Sequence, residues 1–502
     1  HSGVSSCDYF FLLMFKVYPP GSAVWIYYIC RFAGHSQGMM LLAHNSLICS
    51  CFFAVFGWVR ERRRFLLYAV LGMGCSMLSY LNLTIRINNL LVDFLLPLLT
   101  MAGISMAYRM REEPIKMSVC VMLLTGYTGI IKDTGAVFAG IIFLYYVRCI
   151  CSLPVRYMPF EKKLRAFRHL PVKSVLILLT AAGGALPYIG WNWYLATALA
   201  GYTGKFSVGA AQSAAEPELY GTIIGEFFRS AFSLTERSFQ VFLLCTISTV
   251  GAVLYARIFL ERRWKLWKIW LLGTAVLAVY YAGILLLYLY SMPAEEAVRL
   301  AGFDRYTCSI MTLFAGLLLM GAETDMEASF AVSIDERGAY RAYSSPEAKR
   351  RYQATVLVMM IVGINFLYSE FNGLADIRKD YQDSLPGRVE KIIGDRWYPG
   401  GREDAARYLV AALNEEEQVS DGEALYVCRY FLYAPHVQVT SRVDAETLEE
   451  AGERYDYILV LDEEAVTYDP DFPETERLKA PGLYDVQDLL YSYQKSTRHR
   501  IK

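Results

Sequence analysis

Over its first 370 residues the chain alternates long apolar runs with polar breaks, and after that the pattern changes. The apolar runs fall at roughly 22–34, 38–58, 65–83, 90–107, 117–131, 135–152, 173–198, 238–258, 269–290, 307–321 and 354–369. Most approach the ~20 residues that an α-helix needs to span hydrocarbon. The first is short and suits an interfacial or re-entrant segment, so the pattern predicts about ten transmembrane helices. Tyr18-Pro19-Pro20-Gly21 stands at the head of the series. Two consecutive prolines fix their own φ, remove two backbone donors and push each preceding residue away from helix. The chain is expected to arrive extended, turn at Gly21 and enter the membrane.

Beyond residue 370 the periodicity shortens. Asp376 to Ile393 and Glu403 to Leu413 suit amphipathic helices, the second ended by Asn414. Ala424–Cys428 and Tyr457–Leu461 are short apolar runs with β-branched and aromatic content, which read as buried parallel strands, and Asp444 to Gly452 lies between them as a helix. Strands alternating with helices imply a small α/β layer domain. The fold class expected is therefore a polytopic α-helical membrane unit, residues 1–370, followed by an α/β domain, residues 371–502. The tail holds no Gly-rich phosphate loop and no nucleophile elbow.

Charge gives the chain a direction. The formal net charge is zero, yet Phe371–Lys502 carries 16 Lys and Arg against 27 Asp and Glu, and the remainder carries 33 against 22. A basic membrane part precedes an acidic tail. Within the membrane part the loops sort strictly by turn. Arg60–Arg64, Arg109–Lys116, Arg156–His169, Arg262–Lys268 and the long loop 322–353, which ends at Lys349-Arg350-Arg351, are basic. They alternate with Thr84–Asn89, Ile131–Thr134, Leu199–Ser233 and Ser291–Tyr306. The positive-inside rule places the first set in the cytoplasm. Tyr18-Pro19-Pro20, the second set and the tail are then expected on the outer side of the membrane.

Ten of the 11 cysteines fall between Cys7 and Cys308, mostly in apolar runs, so Cys428 has no disulfide partner within the tail. Cys49/Cys51 and Cys149/Cys151 read as small packing residues. His35, His44 and His169 do not cluster, no metal-ligand spacing occurs, and neither a metal nor another cofactor is expected. The basic residues are topology signals with no stripe on the tail, which excludes a nucleic-acid binder. The lipid bilayer is the first partner the sequence implies.

Ionisable groups at a membrane edge mark function more often than surface charges do. Arg86 and Asp93 lie two helical turns apart at the start of one run, either as a phosphate-holding arginine with a carboxylate lining the same cavity, or as a helix-end ion pair. Lys132-Asp133-Thr134-Gly135 interrupts two runs; Asp133 reads as a helix N-cap or a substrate contact, and Lys132, a cation in a tight outer turn, as a phosphate contact. Asp304-Arg305-Tyr306 precedes another run and suits phosphate or diphosphate binding through an arginine fork, or a local salt bridge. Trp191 and Trp193 read as an aromatic belt or as sugar-stacking rings before a loop that holds Lys205, Glu216, Glu218 and Glu226, long enough to cover a cavity.

The outer Tyr18-Pro19-Pro20-Gly21 motif, the alternating spans, Asp93, the Lys132–Gly135 turn, Asp304-Arg305-Tyr306 and the α/β tail together resemble the GT-C class of polytopic glycosyltransferases, in bacterial members of which sugar comes from a polyprenyl-phosphate donor. The resemblance covers most of the membrane part. It implies a donor that is a polyprenyl-phosphate-linked sugar and an acceptor that is a glycan or lipid-linked molecule of the cell envelope, with direct, inverting transfer at the outer face. It further implies a carboxylate acting as base on the acceptor hydroxyl, basic residues holding the phosphate leaving group, and Tyr18, Pro19 and Pro20 at the substrate. Asp93 is one candidate for the carboxylate. The family's acidic first outer loop would precede Tyr18, where Asp8 is the sole carboxylate. Asp8 is the second candidate; the expectation is otherwise that the catalytic acid lies upstream of His1 and that this chain is inactive as a fragment. A transporter or flippase of lipid-linked sugars, or a polymerase or ligase of surface polysaccharide, shares the phosphate chemistry. Convergence of Tyr18, Asp93, Lys132 and Arg305 on one outward cavity would favour an enzyme over a transporter.

Overall fold

The computed structural model describes residues 18–34, 37–60, 65–78, 90–153, 172–199, 219–329, 345–355, 381–394, 404–412, 420–468, 475, 476, 478 and 480–491. Two compact units divide the chain, Ser5–Glu370 and a tail from Phe371 to Lys502.

The first unit is a helical membrane protein. Its helices are α1 Gly21–Ala33, α2 Gln37–Phe56, α3 Phe65–Met77, α4 Leu95–Arg109, α5 Pro114–Gly129, α6 Gly135–Ser152, α7 Val172–Ala198, α8 Tyr220–Ala231, α9 Arg237–Ile258, α10 Leu266–Tyr290, α11 Ala294–Val298 and α12 Phe303–Ser329. Among the described residues six are long and apolar enough to cross a bilayer: the helices at Gly38–Phe56, Gly135–Ser152, Val172–Ala198, Arg237–Ile258, Leu266–Tyr290 and Phe303–Ser329. The run at 354–369 lies outside the described residues beyond 355. In lipid a helix satisfies its own backbone, so apolar runs between polar breaks become helices with few other options.

α12 is the axis of the bundle. It packs against α3, α4, α9 and α10, while α4 also holds α2, α5 and α6. Close approach depends on missing side chains: a Cβ on Gly316 would run into the Met101 sulfur, and one on Gly103 would lie 2.8 Å from Ile142. Such small-residue contacts replace the hydrophobic drive that lipid does not supply. α7 lies at the periphery, with Trp193 exposed and the Trp191 ring stacked on Tyr194.

Two loops expected from sequence are partly helical. The 199–233 loop contains α8, because Ile223, Phe227 and Ala231 recur at helical spacing and are buried together; residues 200–218, including Lys205, Glu216 and Glu218, lie outside the described residues. Residues 322–329, read as the start of a charged loop, continue α12. Two of their carboxylates accept from backbone donors of neighbouring loops: Lys265 N donates to Asp325 Oδ2 (2.7 Å) and Arg60 N to Glu327 Oε1 (3.2 Å). Trp58 Nε1 adds bonds to the Met320 carbonyl (2.7 Å) and Thr324 Oγ1 (2.8 Å).

The two charge classes sit at opposite ends of α4. At its C-terminal end the guanidinium groups of Arg60 and Arg111 lie 5.5 and 4.9 Å from the Tyr108 ring centroid. Asp93 stands just before the N-terminal end, about 20 Å away along 15 residues of helix.

The tail unit is a four-stranded sheet with helices on both faces. Its elements are α13 Leu385–Ile393, β1 Tyr408–Ala411, α14 Ser420–Leu432, β2 Val437–Thr440, α15 Ala445–Arg454, β3 Tyr457–Val460 and β4 Gly482–Asp485. The strand order is β2-β1-β3-β4, with β2 and β3 parallel to β1 and β4 antiparallel to β3. Tyr408 and Val410 join α13 and α14 in one core; Leu409 and Ala411 join α15 in the other. Here two assignments are corrected. Glu403–Leu413, read as a helix, contains β1: the strand is buried on both faces, so its apolar run is continuous and looks helical. Ala424–Cys428, read as a strand, is the middle of α14, whose Ala424, Cys428, Phe431 and Leu432 make one buried face. The helix expected at 444–452 forms as α15, with Asp444 as its cap: Thr447 N donates to Asp444 Oδ1 at 3.0 Å. Within Asp376–Ile393 the described part is a short turn at Tyr381–Asp383 and α13.

Candidate functional site: a doubly paired aspartate at one end of the bundle

Four separate segments meet beside the start of α4. Gly21 opens α1, and its N–H donates to the Ile130 carbonyl at 2.7 Å. A Cβ there would lie 2.7 Å from that same oxygen, so only glycine lets the Tyr18-Pro19-Pro20 strand close on the α5–α6 turn. Gly135 has the same duty at the other side of the turn, since a Cβ would strike the Thr128 carbonyl oxygen. Within the turn, Gly135 N donates to the Lys132 carbonyl (2.7 Å) and Ala136 N to the Asp133 carbonyl (3.4 Å). The position before α6 belongs to Thr134, with no side-chain cap, so the capping role considered for Asp133 is not taken. Asp133 stays exposed beside Lys132.

Asp93 is the centre of the cluster. Its side chain is 3% exposed; Lys132 Nζ lies 2.6 Å from Oδ1, and Arg305 Nε lies 3.6 Å from Oδ2. Ser309 Oγ, one turn along α12 from Arg305, donates to the Asp93 carbonyl at 2.7 Å. Tyr306 forms the floor under both cations: Lys132 Nζ is 5.0 Å and Arg305 Cζ 5.2 Å from its ring centroid. Arg305 Nη2 also donates to the Tyr306 hydroxyl at 3.4 Å. Arg305 is held but not consumed. About a third of its side chain is open, and its buried Nε has no hydrogen-bond acceptor among the described residues. Tyr18 belongs to the same neighbourhood. Burial, followed by the proximity of Tyr306 and Asp133, raises its phenol above the ordinary value, against an opposing effect of Arg305.

Asp304 does not fork with Arg305. The two residues face different partners, Arg305 toward Asp93 and Asp304 toward Glu236, whose carboxyl it meets within hydrogen-bond reach. Glu236 directly precedes α9. The hydrogen bond to Asp304, then burial, push it up to about 7.

The structure therefore brings Tyr18, Pro19, Pro20, Asp93, Lys132, Asp133, Asp304 and Arg305 to one end of the bundle. Arg86, expected either to hold a phosphate with Asp93 lining the same cavity or to pair with Asp93 at the helix end, and Asp8 lie outside the described residues; among the described residues the cations on Asp93 come from the α5–α6 turn and α12. Sequence reading named Tyr306 only as part of the Asp304-Arg305-Tyr306 motif, with no role of its own, and missed Ser309 and Glu236. Glu236 is a lone carboxylate at the mouth of an apolar run, a signal equal to that of Asp93. Chemically, two cations share one buried carboxylate, a net charge of +1 for those three groups alone, with the carboxylates of Asp133 and Asp304 nearby; the open part of Arg305 is the group suited to an anion. Among the described residues no group of acids, histidines and cysteines has a metal-binding arrangement.

Comparison with protein-family models, with curated proteins and with solved structures finds no match to this chain.

Proposed function

We propose that this protein is a membrane glycosyltransferase of the bacterial plasma membrane that takes a sugar from a polyprenyl-phosphate donor and passes it to a glycan or lipid-linked acceptor of the cell envelope at the outer face. The reading includes about ten spans, with the tail outside the cytoplasm. The observation that carries it is the convergence of Lys132 and Arg305 on Asp93, with Tyr306 beneath both cations and Tyr18 near Tyr306 and Arg305, at the end of the bundle away from Arg60 and Arg111. The segments are distant in sequence, and intramembrane-edge charges are costly to gather without use.

In the reaction the acceptor oxygen attacks the anomeric carbon while the bond from that carbon to the phosphate oxygen breaks. The bond's electron pair leaves with polyprenyl phosphate, and the acceptor proton passes to a base. Negative charge grows on the phosphate, and Lys132 and Arg305 are placed to meet it. A preorganised donor of this kind contributes roughly 10²–10³ in kcat. Asp93 holds both cations in place. Its burial and double pairing leave its oxygens occupied, so its role is to position them rather than to take a proton.

The test follows polyprenyl phosphate released from radiolabelled donor by membranes carrying the full-length protein. Lys132→Ala and Arg305→Ala, inserted at wild-type levels, are expected to lose turnover by about 100-fold or more each. Donor bound but never consumed by wild type, across a range of acceptors, would contradict the transferase reading and point to transport.

A further inference from the structure

The end of the bundle opposite Asp93 repeats one feature of the outer cluster, two cations over one tyrosine ring. The Arg60 and Arg111 guanidinium carbons lie 5.5 and 4.9 Å from the Tyr108 centroid. The ring has a fixed seat. Trp58 packs on it with centroids 4.3 Å apart, and the Trp58 indole is itself tied to α12 through the Met320 carbonyl and Thr324. The positive-inside rule asks only for cations in a loop. It does not bring two of them, one from the segment after α2 and one from the turn after α4, onto a single ring. Among the described residues neither guanidinium has an ion pair. Glu327 takes the Arg60 backbone N–H (3.2 and 3.4 Å) instead of its side chain, and Glu113 is paired with Lys116. An aromatic face takes up positive charge but accepts no bidentate hydrogen bond, so both N–H forks are left to fill. Glu327 and the exposed Glu112 offset part of the charge, so the case rests on the two forks and not on net charge.

What leads away from the forks is apolar. α5 begins at Pro114, just after Arg111, and Ile115, Val119 and Leu123 form an exposed row along it at four-residue spacing. A phosphate on the guanidinium groups with a hydrocarbon chain along this row matches a phospholipid; a soluble phosphate compound would leave the row unused. We propose that Arg60 and Arg111 bind the phosphate of an anionic phospholipid at this end of the bundle, with Tyr108 as the floor and the α5 row as the acyl-chain contact. The site is independent of the transferase reading.

The test is native mass spectrometry of the purified full-length protein in detergent, titrated with dioleoyl phosphatidylglycerol or with dioleoyl phosphatidylcholine. Arg305→Ala is present throughout, so that the outer cluster does not contribute. The protein is expected to hold phosphatidylglycerol about 25-fold more tightly than phosphatidylcholine, roughly fivefold for each arginine. Arg111→Gln, in the turn after α4, is expected to lose about fivefold, and Arg60→Gln with Arg111→Gln nearly all of the preference. Arg262 and Arg263 border the same end of α12, since Trp264 donates to Ser329 and Lys265 to Asp325. Arg262→Gln with Arg263→Gln removes the same charge there and is expected to keep the preference. Glycerol phosphate at millimolar concentration is expected to leave the bound phosphatidylglycerol in place. Equal affinity for the two lipids, a preference that survives loss of Arg60 and Arg111, or one lost equally with Arg262 and Arg263 would each overturn the site. Displacement of phosphatidylglycerol by glycerol phosphate would overturn the lipid as its occupant.

Discussion

The pairing of Asp93 with Lys132 can be weighed by a double-mutant cycle. Lys132 Nζ and Asp93 Oδ1 are 2.6 Å apart, with side chains 16% and 3% exposed. At an effective dielectric of about 20, charges at this separation attract by roughly 6 kcal/mol. Desolvation takes back much of that, and breaking such a pair by removing one partner costs about 3–5 kcal/mol. Arg305 remains 3.6 Å from Asp93 and Lys132 keeps a little water, so the lower end applies. Asp93→Asn and Lys132→Met should each destabilise the bundle by about 3 kcal/mol, because each leaves a charge short of its partner. The double variant should be no worse than either alone, which gives a coupling of about 3 kcal/mol. Reversible unfolding in mixed micelles, with intact protein followed by near-ultraviolet circular dichroism, reads all four states. Additive losses, with a coupling under about 0.5 kcal/mol, would refute the pair and the site built on it.

Other outcomes follow from the same geometry. Gly135→Ala should cost about 1–3 kcal/mol, since its Cβ meets the Thr128 backbone rather than a movable side chain, and should weaken donor binding by displacing Lys132; an unchanged unfolding midpoint would argue against the tight turn. Ser309→Ala should cost about 0.6 kcal/mol, and at most about 1.7, for its bond to the Asp93 carbonyl, a loss visible in the same unfolding assay. In the tail, Asp444→Ala removes a helix cap at a cost of about 1 kcal/mol. Hydrogen bonds from the Thr447 backbone and hydroxyl hold the Asp444 carboxyl below its ordinary value, so its stabilisation is present above the usual carboxylate range and lost as pH falls through the lowered folded value. The difference between wild type and Asp444→Ala should therefore close in strong acid, and a pH-independent difference would contradict the cap.

What could be read from the chain divides by physics. Membrane helices were legible because hydrocarbon leaves the backbone one local solution, and Tyr18, Asp93, Lys132 and Arg305 stood out because charge and proline are rare beside apolar runs. Their meeting was only an expectation, since nothing in the sequence says that Arg305 reaches Asp93 while its neighbour Asp304 turns to Glu236. That choice is made by the 100° rotation between consecutive helical residues and by which helices flank α12. Ends of helices misled where charges find backbone partners: Asp325 and Glu327 read as loop, yet accept backbone donors from neighbouring loops. In the tail, β1 and α14 exchanged appearance. A strand buried on both faces loses its alternation, and β-branched and aromatic residues on a packed helix imitate a strand. The helix beginning at Asp444 was legible from sequence, and the cap that starts it acts within three residues of itself.

The most direct test of the central claim needs no acceptor and no turnover. Binding of polyprenyl phosphate and of polyprenol, identical but for the phosphate, would be measured on the purified full-length protein in lipid nanodiscs. Charge-assisted bonds from Lys132 and Arg305 contribute about 1.5–3 kcal/mol each, which corresponds to roughly 10–100-fold in Kd per residue. The account predicts that wild type prefers the phosphate by at least that factor, and that Lys132→Ala and Arg305→Ala each lose most of the preference while still binding polyprenol as wild type does. Equal affinity of wild type for the two lipids, or a preference that survives both substitutions, would show that this cluster does not hold the lipid phosphate.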